Sequence, residues 1–355
     1  MPRKKAAQEI SGKRGRRKKD LTKIDADVTI LMTLLEEAPS FVSGSLLSNR
    51  LRISRVGIWS RLSKLRKDGF RLFAVRNRGY CLDKEPIQIH PRLLEAYIRV
   101  QKYKCPKIIV QKSAESTNAE ASKLLANGEV APFVFIANKQ TKGRGRYGKT
   151  WVSKDPRNLY LSMGFRPQIK SSRLNLFTLW IGVNICRLLQ DETGLPIKIK
   201  WPNDIYIDGK KLAGMLTEAH IDTDSIRNLI FGLGLNINST EKKMPGVVDN
   251  KPTSLALELG KNVSHHLLTA KIIQTIRLAY EACIEEDIHK ELVTQWKQYD
   301  YLYGKNVIAD EGKTNGKAQG IDSDGALIVK LRNGRLRKVI SSEVREASMK
   351  QSKLL

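Results

Sequence analysis

The spacing of hydrophobic residues changes twice along this 355-residue chain. Residues 21–84 show helical spacing and then a hairpin pattern, residues 87–300 mix helix and strand patterns, and residues 303–355 hold short strands between glycine turns. No sequence repeat is visible, so a repeat architecture is not expected. The pattern predicts an α+β protein with three unlike domains, which suits about 100–200 residues per domain.

Residues 21–84 are predicted to form a winged helix-turn-helix domain. Four apolar residues follow the i, i+3, i+4, i+7 spacing of a first amphipathic helix: Val28, Leu31, Met32 and Leu35. A second helix is expected over 43–51 and a third from Ser54 to about residue 67, with Ser43 and Ser54 as N-caps. Strands over 70–75 and 80–82 then form the wing. The third helix of such a domain enters the major groove of DNA.

The charge of the chain favours a polyanionic partner. Lys and Arg number 63 against 36 Asp and Glu, a net charge of +27. Residues 50–80 carry ten of these cations and one acid, Asp68. The predicted DNA contacts are Ser54, Arg55, Arg61, Lys64, Arg76 and Arg78. A helical module that binds other proteins is the alternative. Residues 1–20 read as a disordered basic arm that either adds affinity for phosphates or keeps the chain soluble.

Cysteine and hydropathy patterns exclude several classes of protein. The four cysteines are scattered, without a C-x-x-C pair, which favours reduced thiols and gives no zinc site. The five histidines also suggest no metal site. No run reaches the roughly 18 apolar residues of a membrane span, and the charged N-terminus lacks the hydrophobic stretch of a signal peptide. We therefore expect a cytoplasmic protein with no resident metal and no membrane contact.

One loop in the middle region combines glycines with cations. Residues 143–151, GRGRYGKTW, match the G-x-G-x-x-G dinucleotide fingerprint. That fingerprint requires a helix that opens among its glycines, and none is expected before Pro156. A flexible loop remains, with Arg144, Arg146 and Lys149 available to hold phosphate. A charged surface loop is the alternative.

Three further clusters are individually weak signals. Residues 115–120, ESTNAE, lie at a strand-to-helix junction, where Thr117 and Glu120 fit a capping box or the polar groups bind a small ring or an anion. A hairpin at Asp208-Gly209 would bring Lys211 back beside Asp204. Residues 232–238, GLGLNIN, read as a strand whose glycines permit close approach of a ligand.

Together, and in this order, these motifs resemble the biotin–protein ligases of the bifunctional bacterial type, which also repress the biotin operon. The GRGRxG loop with its following Trp, KWPND, KLAG and GxGxN carry the resemblance, which covers nearly all of the chain after residue 20. Lipoate ligases share the fold but lack the glycine-arginine loop. The resemblance implies a winged helix, a catalytic domain with a class II synthetase-like mixed sheet, and an SH3-like C-terminal barrel.

The resemblance also implies a reaction. The carboxylate of biotin attacks the α-phosphate of ATP, brought with Mg²⁺, and biotinyl-5′-AMP and pyrophosphate form. A lysine of the biotin carboxyl-carrier domain of acetyl-CoA carboxylase then takes the biotin. The adenylate acts as corepressor, promoting a homodimer that binds operator DNA. Two alternatives stay open: a biotin-sensing regulator with little ligase activity, and a ligase whose winged helix does not regulate transcription.

Site residues follow from the resemblance by position. The expected catalytic residues are Lys211, Arg146 and Asp204, with Asp204 organising either magnesium or Lys211. The residues expected to bind biotin or nucleotide are Ser116, Thr117, Asn118, Gln140, Gly143, Arg144, Gly145, Arg146, Trp151, Lys211, Gly214 and Asn236. Two positions depart from the family pattern. Lys149 replaces an Arg and cannot form a bidentate fork, and Gln319 stands where an Arg would contact the nucleotide.

Overall fold

The N-terminal winged helix takes the predicted form. In the computed structural model, which describes residues 24–241 and 251–347, this domain contains α1 (Ala26–Glu36), α2 (Gly44–Leu51), α3 (Arg55–Lys67), β1 (Arg71–Val75) and β2 (Gly79–Lys84). The side chains of Ser43 and Ser54 accept hydrogen bonds from the first turns of α2 and α3, so both predicted N-caps are confirmed. The basic arm at residues 1–20 lies outside the described residues.

Helix α4 (Pro91–Val100) joins this domain to the rest of the chain and was not predicted. Leu93 and Ala96 belong to the core of the winged helix, whereas Leu94 and Ile98 belong to the core of the central region. The two cores therefore meet across one helix. The sequence did carry a signal for this helix, because its apolar and polar residues are well segregated and Pro91 stands at the first helical position, where proline is favoured.

A polar cluster closes the same junction. His266 Nδ1 lies 2.9 Å from Glu85 Oε2, and His266 Nε2 accepts a hydrogen bond of 2.9 Å from the backbone of His90. The hydroxyl groups of Tyr97 and Ser264 donate to the same Glu85 carboxylate. Burial raises the pKa of Glu85, but these hydrogen bonds outweigh it and hold the pKa below its ordinary value.

The central region forms a mixed sheet with helices on both faces. Its strands are β3 (Lys107–Gln111), β4 (Phe133–Ala137), β5 (Leu159–Phe165), β6 (Ile169–Lys170), β7 (Ile197–Lys200), β8 (Asp204–Ile207), β9 (Lys210–Asp222) and β10 (Ser225–Leu235). Its helices are α5 (Thr117–Ala126), α6 (Leu174–Thr193), α7 (Leu255–Leu259), α8 (His265–Glu285) and α9 (His289–Tyr299). Helix α9, like α4, was not predicted. The strand order is β3-β4-β5-β10-β9-β8-β7, and only β3 and β4 are parallel.

The alternation along β10 separates the two faces of this sheet. Leu229, Phe231 and Leu233 pack in the large core with α6 and α8. Ile230 packs with α5 on the opposite face, which Gly232 and Gly234 share with it by the two-residue period of a strand. The face that carries α5 therefore also carries the bare positions of β10.

The C-terminal region consists of short strands, as its turn pattern predicts. Strands β11 (Asn306–Ala309), β12 (Thr314–Ile321), β13 (Leu327–Leu331), β14 (Leu336–Val339) and β15 (Arg345–Glu346) form an antiparallel sheet in the order β14-β13-β12-β11-β15. Trp201 Nε1 donates a 3.0 Å hydrogen bond to Gly325 O and ties this sheet to the central region. The predicted α+β organisation, from winged helix through mixed sheet to small β domain, is confirmed.

Buried histidines at the junction make stability depend on pH. Burial lowers the pKa of His265 to about 3, so this residue is neutral in the folded state between pH 5 and pH 7.5, and partial burial also lowers the pKa of His90. An unfolded histidine binds a proton as the pH falls through about 6.5. The folded state should therefore lose about 2 kcal/mol through His265 alone between pH 7.5 and pH 5.

Urea unfolding at the two pH values checks this expectation. The His265→Leu variant should lose much of the pH dependence of the wild type. The matched control is His220→Leu on the exposed end of β9, which should keep it. An unchanged pH dependence in His265→Leu would contradict the assignment.

Candidate functional site

Three glycines leave a bare surface on one face of β9 and β10. Gly214 and Gly234 lie directly opposite each other in the register of the two strands, and Gly232 is two residues from Gly234. A Cβ on Gly232 would overlap the Asn118 side chain, and a Cβ on Gly234 would overlap the Trp151 indole. We call these glycines the glycine strip. The side chains of Asn118 and Trp151 themselves lie against these glycines, and close approach by a ligand stays a prediction.

The start of α5 is held by a glutamine rather than by a capping box. Ser116 is the N-cap residue, so Thr117 is already inside the helix. Gln140 Oε1 accepts hydrogen bonds from Thr117 N at 2.7 Å and from Thr117 Oγ1 at 3.1 Å, while Glu120 pairs with Lys123. The capping-box prediction is therefore wrong by one residue.

Two residues absent from the sequence-based site belong to the same network. Ser162 Oγ lies 2.7 Å from Thr117 Oγ1 and 2.6 Å from Asn118 Oδ1, and it is fully buried. Asn118 Nδ2 donates to Glu218 Oε2 at 2.6 Å. Ser162 interrupts the apolar run of β5, a signal that the sequence offers. Glu218, in the second half of β9, offers no such signal, because a single carboxylate on a partly exposed strand is common.

The glycine-arginine loop closes on itself through its backbone. Trp151 N donates to Gly143 O at 3.0 Å, and Gln140 Nε2 donates to Ser153 Oγ at 2.8 Å. One short 3-10 turn, Arg146–Gly148, stands between extended segments, so no helix opens among the glycines. This geometry agrees with rejection of the dinucleotide fingerprint. Arg144 Nη1 lies 4.0 Å from Glu218 Oε1, so the loop also reaches the Asn118 network.

The hairpin of β8 and β9 brings Lys211 to Asp204, as predicted. Lys211 Nζ lies 2.6 Å from Asp204 Oδ2, and both side chains are 22% exposed. The same ammonium lies 5.5 Å from the centre of the Trp151 ring. Asp208 and Gly209, both with positive φ, form the turn that returns the chain. Of the two roles expected for Asp204, the structure shows the contact with Lys211.

The side chain of Asn236 is linked to Lys211 through the backbone of Thr253. Its Nδ2 donates to Thr253 O at 2.9 Å, and its Oδ1 accepts from Asn158 Nδ2 at 3.3 Å. Thr253 N in turn donates to Lys211 O at 2.9 Å. The amide of Asn236 is thus engaged with the protein itself in this structure.

The tip of the glycine-arginine loop contacts the C-terminal region. Arg146 Nη2 and the Tyr147 hydroxyl each lie 3.2 Å from Ser341 Oγ. Lys149 Nζ lies 2.7 Å from Glu343 Oε1, and this hydrogen bond lowers the pKa of Glu343. Arg146 therefore faces the C-terminal region rather than joining Lys211 and Asp204. Gln319, exposed on β12, donates to the neighbouring Ala318 O at 3.3 Å.

A connected set of contacts thus links the predicted clusters. It runs from Asn118 and Thr117 through Gln140 to the loop, and through Trp151 to Lys211 and Asp204. The set consists of the polar network at the start of α5, the Trp151 indole packed on the glycine strip, and the Lys211–Asp204 ion pair. Within residues 24–241 and 251–347, no group of three His, Cys, Asp or Glu side chains could hold a metal ion.

The side chains predicted to contact DNA differ in whether they are hydrogen-bonded within the winged helix. Arg55 Nη2 donates to Ser45 Oγ at 2.7 Å, and Arg61 Nη1 donates to the buried Asp27 Oδ1 at 2.7 Å. Lys64 is exposed on α3. The hydroxyl of Ser54 is used as the N-cap.

The wing carries the remaining two cations of the predicted set. Arg76 is exposed in the turn between β1 and β2. Arg78 stacks over the ring of Phe41, with its guanidinium carbon 4.5 Å from the ring centre.

In the part of the chain that the structure describes, no helix is long and apolar enough to cross a membrane.

We expect opposite effects on stability for two glycine-to-alanine changes, one in the glycine strip and one outside it. Gly232→Ala forces Asn118 to move and should lower the free energy of unfolding by about 1–3 kcal/mol, as overpacking does. Gly57→Ala in α3 meets only ordinary contacts at 3.5 Å or more and should be neutral or stabilising by up to about 1 kcal/mol. Urea unfolding measures both. Equal stability of the two variants would contradict the crowding at Gly232.

Three family models match the chain in order. Residues 29–81 match the HTH domain, residues 109–236 match the biotin/lipoate A/B protein ligase family, and residues 304–345 match the biotin protein ligase C terminal domain. The helices, the mixed sheet with its site, and the C-terminal sheet each fall within one match.

Relatives cover nearly the whole chain. A bifunctional ligase/repressor BirA from Bacillus spizizenii is 32% identical over 320 residues, 88% of this chain and 97% of that protein. The protein of the same name from Escherichia coli is 30% identical over 310 residues, 86% of this chain and 93% of its own. Among solved structures, a biotin protein ligase from Aquifex aeolicus in complex with biotin and ATP is 26% identical, with a TM-score of 0.57, over 68% of this chain and 99% of that one. The chain therefore belongs to the biotin–protein ligase family, in its bifunctional ligase/repressor group.

Proposed function

We propose that this protein activates biotin with ATP as biotinyl-5′-AMP and transfers biotin to a lysine of the biotin carboxyl-carrier domain of acetyl-CoA carboxylase. The observation that carries the proposal is the Lys211–Asp204 pair beside Trp151, which is linked through Ser153 to Gln140 and the polar network at the start of α5. The reaction needs no protein nucleophile, because the substrate carboxylate attacks the phosphate. Catalysis is then positioning and stabilisation of charge.

Lys211 supplies the positive charge for adenylation. In this proposal its ammonium lies between the biotin carboxylate and the α-phosphate, where two negative groups approach each other. Asp204 holds the ammonium at 2.6 Å and fixes its position. Magnesium arrives as the substrate complex with ATP, which offsets the charge of the departing pyrophosphate.

The network at the start of α5 recognises the ring of biotin. Thr117, Asn118 and Gln140, with Ser116 at the helix start, offer the donors and acceptors that a ureido group requires. Ser162 joins this set because it bonds both Thr117 and Asn118. A buried site built to hydrogen-bond a polar ring discriminates strongly against analogues that lack the matching groups.

The glycine-arginine loop covers the adenylate. Gly143, Arg144, Gly145 and Arg146 wrap the biotin tail and the phosphate, while Gly214 leaves room beside Trp151. Trp151 lies beside Lys211 and Asn236 is linked to Lys211 through Thr253, which supports an adenine pocket at this end of the site. Trp151 Nε1 is buried against Gly234 and has no hydrogen-bond partner among the described residues. A closed loop shields the mixed anhydride from water.

Intact mass spectrometry tests the proposed reaction. The full chain is incubated with biotin, Mg-ATP and a biotin carrier domain, beside an active ligase as positive control. We expect the mass of one biotin on the carrier, lost when its acceptor lysine is replaced. No mass shift with an active control would favour the biotin-sensing regulator instead.

Lys211→Ala should lower adenylation by at least about a hundredfold, the effect of removing one preorganised charge-stabilising group. The measurement is formation of biotinyl-5′-AMP by mass spectrometry. Lys210→Ala is the matched control, because the neighbouring Lys210 pairs with Glu258 and does not contact Asp204 or Trp151. Adenylation that survives in Lys211→Ala would remove this residue from the mechanism.

Arg146→Gly should release the adenylate before transfer, since the loop loses a cation and its contact with Ser341. Adenylation should continue, and biotinylation of lysines on a bystander protein such as serum albumin should rise several-fold. Western detection with streptavidin measures that labelling. Bystander labelling at the wild-type level would contradict a covering role for this loop.

The winged helix supports the second half of the proposed function, repression of biotin genes with biotinyl-5′-AMP as corepressor. Its basic surface and open α3 suit a DNA groove. Fluorescence anisotropy with the promoter of the biotin genes, with and without biotin and ATP, separates the alternatives. Affinity that ignores both ligands and is equal for random DNA would leave a ligase without a corepressor role.

Dimerisation is proposed to use the central sheet. The β7 edge is covered, because Tyr301 N donates to Ile199 O at 2.9 Å. Strand β3, at the other end of the strand order, pairs with β4 alone among the described strands. An open edge can pair with a second copy. Sedimentation should show dimers when biotin and Mg-ATP are present and fewer dimers without them.

A further inference from the structure

Helix α3 exposes two large apolar side chains on the face that its domain leaves open. Val56 is 75% exposed and Trp59 is 59% exposed, whereas Ile58, Leu62 and Leu65 are buried. Residues three apart on a helix are neighbours, so Val56 and Trp59 form one apolar strip. The core of the domain does not use this strip.

The arginines beside the strip are engaged inside the domain. Arg55 bonds Ser45 of α2, and Arg61 bonds Asp27 of α1, a carboxylate that is 2% exposed. Withdrawing Arg61 toward DNA would weaken the pairing of a buried charge, which is costly. Arg61 holds α3 against α1 through a buried carboxylate, whereas Arg55 bonds α2 at the surface.

Gly57 lies between the two faces and is not required by the fold. A Cβ there would meet Ser54 Oγ at 3.5 Å, an ordinary contact, and glycine is unfavourable within a helix. The missing side chain lets an outside molecule approach the first turn of α3 closely.

The surroundings of the strip match a DNA groove better than a protein surface. Lys64 and Lys67 are exposed farther along the same helix and Arg76 is exposed in the wing, so the domain presents cations together with the apolar strip. In a groove, phosphates lie outside and base edges inside. The N-terminal residues of a recognition helix meet those edges, and the thymine methyl is the apolar group among them.

We propose that Val56 and Trp59 read thymine methyl groups, so that α3 recognises its site mainly by apolar contact at A·T pairs. The inference rests on the proposed DNA binding and specifies how sequence is read. Lys64 and the wing supply phosphate contacts that carry no sequence information.

The test uses deoxyuridine, which pairs like thymine but lacks the methyl group. Sites are selected from a pool of random duplexes with the full chain, biotin and Mg-ATP. Each thymine of the selected site is then replaced singly by deoxyuridine, and binding is measured by anisotropy. We expect one or two positions where the replacement weakens wild-type binding about fourfold, the factor for burial of one methyl-sized group.

Val56→Ala should lose that sensitivity at one position, and Trp59→Ala should lose it at another. Val130→Ala is the matched control, because Val130 is a valine of similar exposure, 77%, in the loop between α5 and β4. This control should keep the wild-type response to every deoxyuridine.

Three results would overturn the inference. Wild-type protein could tolerate deoxyuridine at every position, or Val56→Ala and Trp59→Ala could keep the full sensitivity. Alternatively, these changes could shift sedimentation while DNA discrimination stays intact, which would make the strip a protein interface. Failure of the selection to enrich any sequence is distinguishable from these, since it would also remove the proposed DNA binding.

Discussion

The bare surface of the glycine strip is the constraint on which the site depends. Two strands paired at Gly214 and Gly234 offer backbone without side chains, and one indole and one amide lie against it. Through Asn118 the strip locates the start of α5, and through Trp151 it locates the end of the glycine-arginine loop. Lys211, on the same strand as Gly214, then lies beside Trp151. A methyl group at Gly232 or Gly234 would disturb several parts of the site together.

The Trp151 end of the glycine-arginine loop is held more strongly than the tip of the loop. Trp151 is packed against the strip, whereas the tip rests on Ser341 and Glu343 through exposed polar contacts. Exposed ion pairs contribute about 0–1 kcal/mol, so the tip can leave the C-terminal region at little cost. This difference suits a loop that stays anchored at one end while its cations move over a bound phosphate.

The winged helix is not tethered by a free linker. Helix α4 buries Leu93 in one core and Leu94 in the other, and Glu85 receives hydrogen bonds from several groups at the same junction. Burial on both sides fixes the direction in which α3 faces relative to the central sheet. Two such domains in a dimer would present their recognition helices at a defined spacing, which half-site recognition requires.

Local spacing and turn chemistry were enough to predict the three-part organisation, the caps at Ser43 and Ser54, and the turn that returns Lys211 to Asp204. The folded arrangement was needed to show what packs on the glycines of β10, that Gln140 rather than a capping box holds Thr117, and that Arg61 pairs with Asp27 instead of facing outward. It also added α4, Ser162 and Glu218. The contacts among these residues join side chains that are distant in the sequence and meet only after the sheet has formed, so no local pattern encodes the contacts.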